Sequence, residues 1–170
     1  MARYRIVPTR SRVWIDARSN VHPIHTEAGG LEGWLELDIS DGRIDGGKSP
    51  RGHLEFPVDN LKSGNGLEDR ELRRRIDARR YPTIAGELTA MKDHDEPSRC
   101  VVAGDLTFRG VTRSYQEDMT YEVHDDHTLK LAGQSTFDIR DFGMDPPRIL
   151  LLKVEPEVSV RVEIVAEKES

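Results

Sequence analysis

The chain of 170 residues has a formal charge of −6, with 33% charged residues and a single cysteine. The acidic balance argues against nucleic acid as a partner, because phosphate is bound by a net basic face, and against simple electrostatic attachment to anionic lipid. Cys100 alone excludes an intrachain disulfide and reads as a small buried or rim residue near a strand start. The length suits one domain over residues 1–170 that buries roughly 70% of its unfolded surface, and no linker or repeat divides it. Met1–Ile6 has no apolar core, and no apolar run approaches the roughly 18 residues of a membrane span. Neither a signal peptide nor a transmembrane segment is therefore expected, and a cytoplasmic location is.

In chain order, Tyr4 and Ile6, then Ser11, Val13, Ile15 and Ala17, keep the period-two pattern of strands. Residues 20–30, with Pro23 and Gly29-Gly30, read as a loop. Leu35, Leu37 and Ile39 alternate with Trp34, Glu36 and Asp38, and Asp41-Gly42 closes that strand in a turn. A loop over residues 46–50 follows. Leu54, Phe56 and Val58 give another strand, which Pro57 would demote to an edge or a bulge. A helix is predicted over 67–78: Leu72 and Ile76 share a face, acids lead, and arginines trail, as the helix dipole favours. Tyr81-Pro82 ends it.

Ile84, Gly86, Leu88 and Ala90 form the next strand, and a polar loop leads to a meander from Val101 to Met144. Its three long strands are joined first by a turn at Gly110. Asp145-Pro146-Pro147 breaks the chain, and 148–153 is expected to make a helical turn or a lid. Val158 to Ile164 is the last strand. The sum is all-β with one short α-helix: an eight-stranded antiparallel barrel, which has no free edge. A barrel of this size is either filled by side chains or holds one small or thin ligand.

Leu106-Thr107-Phe108-Arg109-Gly110-Val111-Thr112-Arg113 resembles the "LT-x-RGVTR" signature of the YceI-like family. Ile139-Arg140-Asp141-Phe142-Gly143-Met144 resembles its "R-x-DFG-I" segment, and Asp69-Arg70, Leu72 and Tyr81-Pro82-Thr83-Ile84 its "rD-x-x-L…yP-x-I". Tyr4, Ile6, Ser11 and Val13 match the family's opening pattern. Arg10 stands where that pattern has His, so a role for that histidine at the barrel mouth does not carry over. The resemblance covers nearly the whole chain. It implies a lipocalin-like barrel that binds a polyisoprenoid or another long amphiphilic chain. Many relatives are exported; the N-terminus here reads as a cytoplasmic version.

The candidate binding residues are those on the inward parity: Val13, Ile15, Leu35, Leu37, Phe56, Leu106, Phe108, Tyr115, Met119, Tyr121, Leu131, Phe137, Ile139, Val160 and Val162. Such a lining offers dispersion and hydrophobic transfer rather than acid–base chemistry. Gly133, on the same parity, is expected to border open lumen, so that Gly133→Trp would fill a void. The expected partner is a hydrophobic small molecule such as a polyisoprenoid, with no cofactor, no metal and no enzymatic activity. The alternative is a filled barrel that acts as a structural or interaction module. A third reading is an enzyme with a metal at His22-x-x-His25 or His124-x-x-His127, but neither pair has a third ligand fixed by spacing. Asp141-Phe142-Gly143 spells a kinase tripeptide without its partners. The arginines at 73–75 and 79–80 read as a solvated helix face. Trp14 and Trp34 fall on the polar parity of their strands, which leaves room for a covering helix or a homodimer contact.

Overall fold

The computed structural model of the chain describes residues 1–45 and 49–170. Its strands are β1 (Ala2–Ile6), β2 (Arg12–Ser19), β3 (Ile24–Ala28), β4 (Glu32–Ser40), β5 (Arg43–Asp45), β6 (Arg51–Pro57), β7 (Thr83–Asp93), β8 (Arg99–Phe108), β9 (Val111–His124), β10 (Thr128–Asp138), β11 (Arg148–Ile149) and β12 (Leu152–Lys168). One α-helix, α1 (Gly66–Ile76), lies between β6 and β7. Eight strands form a ring in the order β1-β4-β6-β7-β8-β9-β10-β12, all neighbours antiparallel, and β12 returns to β1 through Tyr4↔Lys168 and Ile6↔Ala166. β2 continues along the same edge of β12, with Val162 opposite Val13 and Val160 opposite Ile15, and β3 adds to β2. At the break between β1 and β2, Val7 donates to the Val165 carbonyl at 2.8 Å, and the buried Ser11 hydroxyl accepts from the Val165 amide at 3.0 Å. The ladder is thus bridged where the strand kinks.

Three expectations need correction. Residues 24–28 are a strand, β3, not loop: Ile24, Thr26 and Ala28 alternate with exposed His25 and Glu27. Pro57 lies in a strand with neighbours on both sides, β4 and β7, and is tolerated because it is the last residue of β6. Residues 148–153 form a hairpin between β11 and β12 rather than a helical turn. The loop expected over 46–50 lies, for residues 46–48, outside the described residues.

Helix α1 begins where Asn65 Oδ1 accepts from the amides of Leu67 and Glu68 at 3.0 and 3.2 Å, which satisfies two otherwise orphaned donors. It ends two residues before the predicted stop, because Asp77 takes a left-handed conformation (φ 60°) as a C-cap.

Half of the barrel is solid. Tyr4, Leu37, Ile44, Met91, Cys100 and Leu129 are each no more than 3% exposed and belong to one cluster. Its floor is polar but paired: the Tyr121 hydroxyl donates to Asp93 at 3.0 Å, and the Arg43 guanidinium meets the other Asp93 oxygen at 2.6 Å. Burial works to raise the Asp93 pKa, but the hydrogen bonds from Arg43 and Tyr121 outweigh it and hold the carboxyl below its usual range.

Burial pushes the Cys100 thiol from 9.0 up to about 11. The folded state therefore resists ionisation that the unfolded chain permits. The contribution is intact below the unfolded value and is lost between pH 9 and about 11. Urea midpoints measured across that range are expected to fall more steeply for the parent than for Cys100→Ala.

Gly33 in β4 has φ 148°, and a Cβ there would lie 1.8 Å from the His53 carbonyl oxygen of β6. That contact involves main chain on both sides, so no rotamer can relieve it. Gly33→Ala is expected to lower stability by about 3 kcal/mol or more, read as a shift of the urea midpoint. Loss below about 1 kcal/mol would show that β4 and β6 can part cheaply.

Candidate functional site

The other half of the barrel is hollow. A cavity of about 310 Å³ lies between β2, β3, β6, β8, β10 and β12, with α1 forming one wall through Leu72 and Ile76. Nine of the fifteen residues predicted to line it do so: Val13, Ile15, Phe56, Leu106, Phe108, Phe137, Ile139, Val160 and Val162. Six do not. Leu35, Leu37, Tyr121 and Leu131 are buried away from the cavity wall, and Met119 packs over Gly133. Tyr115 stacks edge-on against Phe137 at 4.8 Å, outside the wall. The reason is geometric: strand parity fixes whether a side chain points inward, not how far along the barrel axis it sits.

Gly133 is a further correction. A Cβ at Gly133 would meet Met119 Cγ at 2.9 Å and Cε at 3.0 Å, so the space expected to be open is filled by Met119. Beside them Glu117, also on the inward parity of β9, accepts from the Ser135 hydroxyl at 2.6 Å. Met119 and this pair stand where the hollow half gives way to the plug. Gly133→Trp is thus expected to overpack the barrel and lower stability by about 1–3 kcal/mol or more. An unchanged melting temperature for that variant would contradict the plug.

Other wall residues lie outside the predicted fifteen: Ala17 shares the parity of Val13 and Ile15 in β2, and Met144 ends the second signature segment. Ile24 and Thr26 come from β3, and Pro147 and Val154 from the segment around the hairpin, which sequence periodicity does not assign. Ser63, Glu68 and Asp69 also border the cavity. Asp69 is buried and its Oδ1 accepts from the Ser63 amide (2.8 Å) and hydroxyl (2.7 Å), fixing the loop ahead of α1.

The two signature segments meet beside the cavity. Arg109 donates to the Arg75 carbonyl at 3.1 Å and to the Gly143 carbonyl at 2.7 Å, and Arg113 donates to the Asp141 carbonyl at 2.9 Å. Asp138 caps the turn at 139–142 by accepting from the Arg140 amide at 2.9 Å. Phe108 packs edge-on against Phe142 at 5.5 Å. These arginines grip main-chain carbonyls near the end of α1 and in the turn after β10. They hold the cavity wall in place and do not point a charge into it.

The histidine pairs do not converge. His25 Nδ1 lies 2.6 Å from Asp16, His22 Nδ1 lies 2.8 Å from the Pro23 carbonyl, and His124 Nε2 lies 3.3 Å from Glu122. Among the described residues no three His, Cys, Asp or Glu side chains are grouped to hold a metal ion. Trp14 and Trp34 are covered by arginines rather than by a helix: the Arg161 guanidinium sits 4.2 Å above Trp14, and that of Arg3 sits 4.4 Å above Trp34. Of the arginine run, Arg74 and Arg75 pair with Glu71.

The YceI-like domain model matches residues 4–166. The chain belongs to the YceI-like family. Solved structures agree in fold. BcnA from Burkholderia cenocepacia matches with a TM-score of 0.75 at 15% identity, over 91% of this chain and 95% of its own. A polyisoprenoid binding domain from Saccharophagus degradans, implicated in plant cell wall breakdown, matches with a TM-score of 0.76 at 10% identity, over 99% and 100%. The Campylobacter jejuni YceI protein matches with a TM-score of 0.67 at 13% identity, over 85% and 84%. No curated protein matches the sequence. Within this YceI-like chain no helix among the described residues is long and apolar enough to cross a membrane.

Proposed function

We propose that the protein is a non-enzymatic binder that sequesters or carries an amphiphile with an isoprenoid or similar chain, its tail lodged in the hollow half of the barrel. The observation that carries this reading is the apolar cavity of about 310 Å³ set above a solid plug. Family membership supports it, as does the polyisoprenoid-binding description of one barrel of the same fold. The volume is at the lower end of small-molecule pockets, roughly 300–1,000 Å³. The plug makes the cavity blind, so a chain of modest length fits, or a longer one with its remainder outside. Each CH₂ taken from water contributes about 0.8 kcal/mol before ordering costs. The filled-barrel alternative describes the plug half only.

Organic extraction of the purified protein followed by mass spectrometry tests this reading directly; a long-chain lipid is expected. Val160→Trp, which projects into the cavity rather than the plug, is expected to reduce uptake of a fluorescent prenol about tenfold or more while changing stability by less than about 1.5 kcal/mol. Full uptake by that variant would rule the cavity out as the binding site. A cytoplasmic setting and a carrier role belong to the same proposal, and cell fractionation with tracking of the bound lipid reads both.

A further inference from the structure

The described residues leave five large hydrophobic side chains exposed: Met1, Val21, Leu67, Leu150 and Leu151. All but Met1 gather at one rim. Leu150 and Leu151 form the two-residue tip of the β11–β12 hairpin and are 88% and 87% exposed. Asn20 fastens the turn carrying Val21 to that hairpin: its Nδ2 donates to the Leu151 carbonyl at 3.0 Å, and its Oδ1 accepts from the Lys153 amide at 2.6 Å. His22 in the same turn reaches Glu68 of α1 at 3.8 Å, next to Leu67. Each of these segments also contributes to the cavity wall, through Ile24, Glu68 and Val154. The exposed aliphatic tips therefore surround one end of the cavity.

The hairpin tip breaks a local rule. Leu150 has φ 54°. A two-residue hairpin turn at positive φ ordinarily holds glycine, asparagine or aspartate, and a leucine there is strained. Leucines with no packing partner in such a turn point to a role outside the folded chain. One pair further from the tip, beyond Ile149↔Leu152, Arg148 and Lys153 face each other across the hairpin, both exposed, and neither makes a salt bridge among the described residues. Two aliphatic side chains above a pair of free cations complement the acyl layer and phosphate layer of a lipid interface.

We propose that this rim is a bilayer-docking edge. Leu150 and Leu151 dip into the interface, Arg148 and Lys153 meet lipid phosphates, and the cavity is brought against the membrane from which an apolar ligand can be drawn. Docking does not require an occupied cavity; only its purpose rests on the proposed binding role. With a net charge of −6, attraction to anionic lipid is local and modest, and insertion of the tip dominates.

The test is flotation of the full chain with vesicles of phosphatidylcholine, alone or with phosphatidylglycerol. The parent is expected to float with both, and more with the anionic mixture. Leu150→Ser combined with Leu151→Ser should reduce the floated fraction about tenfold or more. Both positions are exposed, so melting temperature and prenol uptake from solution should be unchanged in that variant. Leu151→Trp supplies a second reading, a blue-shifted fluorescence on vesicles. A parent that stays unbound, or a serine variant that floats as well as the parent, would overturn docking whatever the cavity binds. A parent that is dimeric by light scattering, does not float, and turns monomeric with the serines would assign the tip to self-association instead. Flotation without prenol uptake would uphold docking and refute the binding role.

Discussion

The structure depends on β12 being hydrogen-bonded along both edges. One edge pairs with β10 from Thr128↔Glu167 to Asp138↔Glu157. The other is shared in succession by β1 and β2, whose break is bridged by the Val165 backbone and Ser11. Buried main-chain groups carry a large penalty if left unpaired, so this shared edge is what allows the ring to close around a kinked first strand. At 17 residues and about 3.3 Å per residue, β12 runs the length of the barrel. Its inward side chains therefore serve both halves: Ile164 and Ala166 enter the plug, while Val158, Val160 and Val162 face the cavity. The register shifts between Val154, which still pairs with Ser19, and Val158, and the hairpin projects beyond that point.

A barrel that is hollow at one end needs its wall held from outside, and the signature arginines do this. Arg109 ties the last turn of α1 to the turn after β10, and Arg113 binds that turn one step earlier. A guanidinium suits the task because it presents several donors in a rigid plane and stays charged at every relevant pH. Charge-assisted bonds to carbonyls are stronger than neutral ones. The aromatic contacts of Phe142 with Phe108 and Tyr115 fill the space beneath. The two signature segments thus act as a clamp on the cavity wall.

Much of this was legible in the residues. Alternation in the meander and in β4, β7 and β12 gave the all-β barrel, because each strand has one oily face and one wet one. Helix α1 was legible from Leu72, Ile76 and its charge polarity. β3 was missed because five residues between Pro23 and Gly29 carry only Ile24, Thr26 and Ala28 inward, two of them small or polar. The hairpin at 148–153 was missed because an unbroken apolar run shows no period, and Leu150-Leu151 is not turn chemistry. The site was half legible for a different reason. Parity separates inward from outward, but the division into plug and cavity follows from register and side-chain volume, such as Met119 lying over Gly133. A short stretch of sequence does not contain that information.

The division has an energetic logic. At about 24 cal/mol per Å³, a dry void of 310 Å³ would cost on the order of 7 kcal/mol as an upper limit, comparable to the 5–15 kcal/mol net stability of a typical domain. Water entering an open cavity lowers that figure, yet its apolar wall still gives little in return. The plug, with its buried aliphatic cluster and the Tyr121–Asp93–Arg43 floor, must therefore hold the fold when the cavity is unliganded. Under the proposed role, an apolar chain that fills the void restores the missing contacts and binds only the folded state. At a free concentration one hundredfold above Kd that linkage adds about 2.7 kcal/mol. The same hollow that weakens the empty barrel is thus the source of its affinity, and the two cannot be optimised separately: a side chain large enough to remove the first removes the second.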